Sequence, residues 1–426
     1  MDTRRMKDGT FLATADAVVD PLEPNPRANT VLYRRSPEGL RVLAVGARAD
    51  CARHEASAHA ERIDLPGIVI VPAFVNAHAH LDLTHVGSQP FDPETQTFTQ
   101  WLASIRSTRT LDPADIRGSV ALGIERSLAG GVIAVGDISG ADHNLTLELL
   151  RESELRGVCF AELFGLAGRQ AASIARMREL IALAPHADRG VRLGLQPHAP
   201  YSAGPELLRA ASETGLPVST HLAETLEERE LLKRGTGDFH TFLESLGLWT
   251  SDIAQGFGGA TPIERTLSAI DGRALLAAHV NDCRESEIEA LAAANVSVVY
   301  CPRAHESFGH PSTIGPHRYR EMLDRGITVC LGTDSIVSLP PTSAHRITPF
   351  DDARLLLRRD GLNPVTALQL ITTNGAHALG MPIDLFRLHD SPHEITGLLA
   401  LDADGSGASA LARAFAGSGG MTWLAR

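Results

Sequence analysis

The stretch that decides the fold reads GIVIVPAFVNAHAHLD, from Gly67 to Asp82. Its apolar run, Ile68 to Phe74, is soon followed by two histidines spaced two residues apart. Apolar runs of this length are typical of strands that are buried on both faces, as in parallel sheets. On an extended strand, residues two apart point to the same side, so His78 and His80 can reach one common ion.

Seven further runs follow along the chain: Val132 to Gly136, Gly157 to Leu163, Val191 to Gln196, Pro217 to Thr220, Ala274 to Ala278, Val296 to Tyr300 and Thr328 to Leu331. Helical segments such as Asp112 to Ala129 and Arg169 to Leu183 lie between them. Strands that alternate with helices predict an α/β fold with a parallel sheet. A doubly wound open sheet would alternate too, but eight runs with polar residues where the runs stop favour a (β/α)8 TIM barrel.

The segments before and after the predicted barrel have a different sequence pattern. Residues 11–65 carry short alternating segments separated by Pro, Asn and Gly, which predict short antiparallel strands. We therefore expect residues 1–65 to form the N-terminal part of a small flanking β-sandwich and residues 66–380 to form the barrel. Residues 381–426 are expected to be a C-terminal segment, either part of the sandwich or an irregular tail.

Composition excludes several classes of protein. The 426 residues are 43% hydrophobic and 21% charged, which is typical of a folded soluble chain. A net charge of −12 disfavours nucleic acid and anionic membranes as partners. The five cysteines include no C-x-x-C pair, and the N-terminus shows no apolar signal region, so we expect a cytoplasmic protein without disulfides.

Several other runs also end in residues that can bind a metal or move protons. The fifth run ends in Thr-His221-Leu-Ala-Glu224, the sixth in His279 and the eighth in Leu-Gly-Thr-Asp334. In a barrel these ends converge on one rim, where imidazoles and a carboxylate would form a nitrogen and oxygen site. Such a site suits one divalent ion, with zinc favoured and ferrous iron as the alternative, and leaves a position for water.

Two details refine this site. Glu224 lies three residues beyond His221, close enough to act as a proton shuttle, although a glutamate is also favourable in the first turn of a helix. The fourth run ends in Gln-Pro-His198 without a lysine that could bridge two ions, so one ion is favoured. His198 is then predicted to contact substrate, with packing or a second ion as alternatives.

The chain resembles the amidohydrolase superfamily, within it the branch of deaminases and chlorohydrolases, over about residues 60 to 380. The similar segments are VPAFVNAHAHLD (71–82), PHAPYS (197–202), THLAE (220–224), HVN (279–281) and LGTDS (331–335). The resemblance implies catalytic roles for Glu224, His279 and Asp334: Glu224 would shuttle protons and His279 would orient the hydrolytic water. It implies that the metal ligands are His78, His80, His221 and Asp334.

Residues 298–311, VVYCPRAHESFGHP, are similar to the corresponding segment of aminodeoxyfutalosine deaminases, which commonly reads C-P-R-S-H. Adenosine and S-adenosylhomocysteine deaminases read N-P-x-S-N there, and Ala304 departs from the serine of both. We expect Arg303 and His305 to bind substrate at the barrel mouth, with pairing of Arg303 to acidic loop residues as the alternative. Trp101 is a further candidate for stacking on substrate, although anchoring its loop, together with Phe98, is the simpler explanation.

These observations predict a metal-dependent hydrolytic deaminase of an amino-substituted heterocycle. The expected substrate is an adenine-type nucleoside such as aminodeoxyfutalosine, S-adenosylhomocysteine or methylthioadenosine. The same ligands would serve a chlorohydrolase, a cyclic amide hydrolase, or a guanine or cytosine deaminase. A non-catalytic metal protein would be expected to have lost Glu224 or a ligand, and the cytidine-deaminase type of zinc fold needs a cysteine pair that this chain lacks. The expected partner is a small molecule, and a homodimer is the assembly considered.

Overall fold

A computed structural model describes residues 7–183, 190–403, 405–406 and 408–426, so residues 1–6, 404 and 407 of the predicted flanking segments lie outside it. Its strands are β1 (Gly9–Val18), β2 (Thr30–Ser36), β3 (Gly39–Gly46), β4 (Glu61–Pro72), β5 (Phe74–Ala79), β6 (Val132–Ser139), β7 (Arg156–Leu163), β8 (Val191–Pro197), β9 (Ser219–Leu222), β10 (Leu275–His279), β11 (Val296–Tyr300), β12 (Val329–Leu331), β13 (His393–Ile395), β14 (Leu398–Asp402) and β15 (Met421–Ala425).

The helices follow most of these strands. They are α1 (Arg48–Cys51), α2 (Phe98–Thr108), α3 (Pro113–Ala129), α4 (His143–Glu152), α5 (Arg169–Leu183), α6 (Pro205–Ser212), α7 (Leu226–Arg234), α8 (Asp238–Ser245), α9 (Ser251–Gln255), α10 (Pro262–Ile270), α11 (Glu285–Ala292), α12 (Pro302–Ser307), α13 (His310–Thr313), α14 (Tyr319–Asp324), α15 (Pro349–Asp360), α16 (Pro364–Leu370), α17 (Thr373–Ala378) and α18 (Ala410–Ala416). None of them, within the ranges given above, is long and apolar enough to cross a membrane.

One compact unit comprises residues 1–75, 127–133 and 348–426. It contains a seven-stranded sheet in the order β13-β3-β2-β1-β4-β14-β15, in which only β1 and β4 pair in parallel. The strands predicted before residue 65 are thus present, and C-terminal strands join them in one sheet. We expected a sandwich of two packed sheets; a separate sandwich is not established, and the divisions at residues 65 and 380 stay predictions.

The second unit comprises residues 76–126 and 134–347. It carries β7 to β12 and most of β5 and β6, in two four-stranded sheets that run β5-β6-β7-β8 and β9-β10-β11-β12. A parallel bridge from Leu195 to Val218 joins β8 to the start of β9, and another from Ala79 to Asp334 joins β5 to the chain after β12. The sheet therefore curls with its eight strands in chain order, and the predicted α/β fold is confirmed.

The structure corrects the first apolar run. Most of Ile68 to Phe74 belongs to β4 of the seven-stranded sheet, and the strand that carries His78 is β5, which begins only at Phe74. Pro72 ends β4 because proline has no N–H to continue a ladder. One continuous apolar run therefore serves two sheets.

Candidate active site

The predicted ligands come from three separate places in the second unit, and His279 comes from a fourth. His78 lies in β5 with His80 directly after it, His221 lies in β9, and Asp334 follows β12. His279 is the last residue of β10. All five side chains are buried. The carboxyl ends of neighbouring parallel strands meet at one edge, which brings together residues up to 256 positions apart in sequence.

The donor atoms of these residues are spaced as ligands of one ion would be. The Asp334 Oδ1 atom lies 3.6 Å from His78 Nε2 and 3.5 Å from His80 Nε2. His80 Nε2 lies 3.4 Å from His221 Nε2. Two ligands of one tetrahedral zinc ion, each about 2.0–2.1 Å from the metal, lie about 3.3 Å apart. The residues therefore fit a divalent ion.

Unsatisfied polar atoms support the same conclusion. Both ring nitrogens of His78 and the Nδ1 atom of His80 are buried and have no hydrogen-bond partner. Leaving a buried polar atom without a partner costs about 1–3 kcal/mol, so such atoms are rare in native proteins. A cation among the Nε2 atoms would supply the missing partner of His78 Nε2.

The protonation states also suit metal binding. Burial lowers the pKa of His80 to about 4 and that of His221 well below its ordinary value, so both rings are neutral near pH 7. Burial would raise the pKa of Asp334, but His78, His279 and His80 hold it below its ordinary value. Neutral imidazoles and an ionised carboxylate are the forms that bind metals.

Outer hydrogen bonds orient two of these groups. The Nδ1 atom of His221 lies 3.0 Å from the carbonyl oxygen of His198, so Nδ1 donates and Nε2 faces the cluster. The Ser338 hydroxyl donates to Asp334 Oδ2 at 3.0 Å. Sequence reasoning assigned no role to Ser338, whose position four residues after Asp334 was the only available indication.

Glu224 lies beside the cluster but outside the predicted ligand set. Its Oε1 atom is 3.6 Å from His279 Nε2. Burial raises the pKa of Glu224 well above its ordinary value, and the carboxylates of Asp334 and Glu228 add to the effect. Burial also lowers the pKa of His279 to about 3. A carboxyl whose protonated form is favoured therefore faces a neutral imidazole, which suits proton donation by Glu224.

His198 belongs to a second polar group that sequence reasoning found only in part. Its Nε2 atom lies 3.8 Å from Glu162 Oε1, and its Nδ1 atom lies 2.6 Å from the Ser202 hydroxyl. Ligand atoms of Glu162, His198 and His221 lie within 4.8 Å of one another. Glu162 is the next-to-last residue of the third apolar run and its only charged residue, a pattern that could have identified it. The Arg109 guanidinium, 3.4 Å from Glu162, opposes a second cation here.

Arg109 holds two buried carboxylates at this edge. Besides Glu162 it pairs with Asp82 at 3.2 Å, and both carboxylates are almost fully buried. Burial alone would raise the pKa of Glu162, but His198, Arg109 and His80 together outweigh that effect. The pKa of Glu162 is therefore below its ordinary value. Arg109 directly follows α2, outside any strand or motif, and nothing in its local sequence indicated this role.

We expect Arg109→Met to destabilise the protein by about 3–5 kcal/mol near pH 7, because it leaves two buried carboxylates uncompensated. The pKa of Glu162 is lower in the folded protein than its ordinary value of 4.5, so the ionised carboxylate stabilises the fold at pH values above 4.5. That stabilisation is lost as the pH falls through the folded-state pKa. The loss should therefore shrink at pH 4. Urea unfolding at both pH values measures this loss, with Arg106→Met, exposed near the end of α2, as control. Equal losses in the two variants would contradict the assignment.

Arg303 and His305 lie in α12, directly after β11, and both are buried. His305 Nε2 donates to the carbonyl oxygen of Gly315 at 3.2 Å, which ties the ring to its own loop. Their predicted contact with substrate stays a prediction.

Trp101 and Phe98 lie in α2 and are buried. The Trp101 indole N–H donates to the carbonyl oxygen of Gln89 at 3.0 Å, and its ring lies 4.7 Å from that of Phe308. This arrangement matches the anchoring explanation, and substrate contact by Trp101 stays a prediction.

We expect zinc to raise the midpoint of thermal unfolding of the metal-free protein. Binding to the folded state alone stabilises it by about 2.7 kcal/mol at a ligand concentration of 100 Kd. Magnesium, which prefers oxygen ligands, should change the midpoint little and serves as control. Differential scanning calorimetry measures both, and equal shifts with the two ions would contradict a nitrogen-rich site.

The chain is similar to known proteins of one family. The model of the amidohydrolase family matches residues 69–386. An aminodeoxyfutalosine deaminase from Deinococcus radiodurans is 28% identical over 357 residues, which are 75% of this chain and 77% of that protein. A 5-methylthioadenosine/S-adenosylhomocysteine deaminase from Natronomonas pharaonis is 27% identical over 423 residues, 90% of this chain and 87% of that protein.

A solved structure shows the same fold. The crystal structure of Helicobacter pylori aminofutalosine deaminase in complex with methylthio-coformycin superposes with a TM-score of 0.73 at 20% identity. The match covers 96% of this chain and 97% of that one. The chain therefore belongs to the amidohydrolase family and is a hydrolase that acts on carbon–nitrogen bonds.

Proposed function

We propose that the protein is a zinc-dependent hydrolytic deaminase of an adenine-type nucleoside, built on a (β/α)8 barrel. The observation that carries the proposal is the position of Glu224: a buried carboxyl with a raised pKa lies 3.6 Å from His279, beside the cluster of His78, His80, His221 and Asp334. Deaminases among the relatives of this chain support the choice of reaction.

The reaction exchanges an amino group for an oxygen atom. Water adds to the ring carbon that bears the amino group, the carbon–nitrogen bond breaks, and ammonia leaves. One proton of the water ends on the adjacent ring nitrogen and the other on ammonia. His78, His80, His221 and Asp334 would hold a divalent ion, which would supply Lewis acidity that lowers the pKa of water to about 7.

Glu224 and Asp334 handle these protons. The protonated Glu224 carboxyl donates to the ring nitrogen, which makes the ring carbon more electrophilic. Asp334 Oδ1, which His78 and His80 hold in its ionised form, accepts a proton from the attacking water. His279, neutral and adjacent to Glu224, orients that water by a hydrogen bond. Asp334 then passes the proton it accepted to the amino group, which leaves as ammonia, and Glu224 regains its proton from the hydroxyl that the attacking water has become.

The remaining predicted contacts would hold the rest of the substrate. We assign to His198 a hydrogen bond to substrate, because its Nδ1 atom is occupied by Ser202 and its Nε2 atom faces the site. Arg303, His305 and Trp101 keep their predicted substrate roles. The residues Cys-Pro-Arg-Ala-His at 301–305 favour aminodeoxyfutalosine over methylthioadenosine and S-adenosylhomocysteine.

Ammonia release from the zinc-loaded protein tests the proposal. The panel contains aminodeoxyfutalosine, methylthioadenosine, S-adenosylhomocysteine, adenosine, guanine and cytosine. Ammonia from one of the adenine-type compounds supports it. A protein that binds zinc fully and releases no ammonia from any of them contradicts it, and chloride release from a chlorotriazine or ring opening of a cyclic amide would then identify the other leaving groups that this ligand set permits.

A further inference from the structure

Two consecutive residues at the end of β10 have left-handed backbone conformations. The φ angles are 71° at His279 and 53° at Val280. Residues other than glycine rarely adopt positive φ, and for a β-branched residue such as valine it is a true outlier. Strain of this kind persists only where the surrounding structure holds it, and it concentrates at functional sites.

Hydrogen bonds hold this turn against the segment that carries Glu224. The Val280 N–H donates to the carbonyl oxygen of Leu222 at 2.9 Å, and the Asp282 N–H donates to that of Ala223 at 2.9 Å. The Asn281 side-chain amide donates to the carbonyl oxygen of Glu224 at 3.1 Å. These bonds fix residues 280–282 but leave the carbonyl group of His279 itself to another partner.

That partner is His317, a residue that the sequence did not single out. Its Nε2 atom donates to the carbonyl oxygen of His279 at 2.8 Å. The His317 ring is buried and stacks on the Tyr300 ring, with centroids 3.8 Å apart and planes 14° from parallel. Tyr300 is itself fully buried at the end of β11. The donor is therefore held rigidly where the carbonyl of a left-handed His279 points.

We propose that His317 is a positioning residue, whose hydrogen bond to the His279 carbonyl holds the left-handed backbone that aims the His279 imidazole at Glu224. If His317 could not donate, the His279 carbonyl oxygen would lose this hydrogen bond. The backbone of His279 could then relax toward an ordinary strand conformation. The imidazole would then leave its place 3.6 Å from Glu224. The catalytic consequence rests on the proposed function, whereas the effect on the backbone does not.

Two substitutions separate the hydrogen bond from the bulk of the ring. His317→Leu fills similar space without a donor, and His317→Gln retains an N–H donor. Crystal structures of the zinc-loaded variants are expected to show His279 at negative φ in His317→Leu and at positive φ in His317→Gln. In kinetics, His317→Leu should lower kcat by about 10- to 100-fold with little change in KM, since a displacement of about 1 Å can cost 100-fold. His317→Gln should recover most of this loss.

His393→Leu is the matched control, because the Nε2 atom of His393 also donates to a backbone carbonyl, that of Arg387 at 3.0 Å, in the other unit. It should keep the kcat of the unmodified protein. An unchanged His279 backbone in His317→Leu would overturn the inference, whatever the activity. If His317→Leu does not fold, the His317→Gln variant alone tests the proposal. Full kcat with the glutamine amide bonded to the His279 carbonyl supports it. Full kcat without that hydrogen bond overturns it. A chain that releases no ammonia refutes the proposed function, and the crystal structures still test His317.

Discussion

Glu224→Gln is expected to lower kcat for ammonia release by about 10²- to 10⁴-fold, the usual contribution of a positioned acid or base. Glutamine keeps the shape and hydrogen-bonding capacity of the side chain but cannot donate and regain a proton. Because Glu224 lies outside the proposed ligand set and bonds to the rest of the fold through its backbone, zinc content and unfolding midpoint should not change. Ammonia assays and metal analysis on the same preparation measure both quantities.

The neighbouring Glu227→Gln is the control for this experiment. Glu227 lies in the first turn of α7 and is only partly buried, so its loss should leave kcat unchanged. Normal turnover by a zinc-loaded Glu224→Gln protein would remove Glu224 from the mechanism. A loss of zinc that parallels the loss of activity would show instead that Glu224 binds the metal.

Asp334→Asn is expected to have the largest effect on metal binding. It replaces the only anionic donor of the proposed ligand set by a neutral amide, which leaves imidazoles alone to compensate the charge of the ion. Zinc affinity should fall by more than the roughly 10- to 100-fold that loss of an outer hydrogen-bond partner costs. Activity should fall in parallel. Competition with a chelator of known affinity measures the loss.

Ser338→Ala provides a graded comparison for that variant. The Ser338 hydroxyl donates to Asp334 Oδ2 without belonging to the proposed ligands, so zinc affinity should drop by about 10- to 100-fold only. If Asp334→Asn binds zinc as tightly as Ser338→Ala, Asp334 is not a ligand. The order of the two affinities is therefore the informative result.

The residues that cluster around the site were largely predictable, because the carboxyl ends of neighbouring parallel strands meet at one edge of a sheet. His78, His80, His221, His279 and Asp334 each stand where an apolar run stops, and the structure brings all five together. Locating the end of each strand separately is enough to predict which residues meet, since parallel strands in chain order place their carboxyl ends on one rim. Their roles as ligands and acid–base groups remain proposals that the variants above test.

Other features depend on contacts that local sequence does not encode. Arg109 reaches Asp82 and Glu162 from the end of α2, and His317 reaches His279 from a turn 38 residues away. Side-chain direction at such positions is set by tertiary packing rather than by periodicity.

The seven-stranded sheet shows the same limit. In it, β14 pairs with β4 across more than 300 residues of intervening chain, a pairing that apolar alternation in either strand does not reveal. The single run that supplies both β4 and β5 likewise predicts one strand, because only Pro72 marks the division between them.

Isotope labelling distinguishes hydrolytic deamination from other reactions at this site. The zinc-loaded protein is incubated in ¹⁸O-labelled water with the nucleoside that gives the fastest ammonia release, and both products are quantified. Hydrolytic deamination would place one ¹⁸O atom in each product molecule, at the carbon that lost the amino group, and release one ammonia for each ¹⁸O incorporated. Ammonia without incorporated ¹⁸O, or ¹⁸O incorporated without ammonia, would contradict hydrolytic deamination at this site.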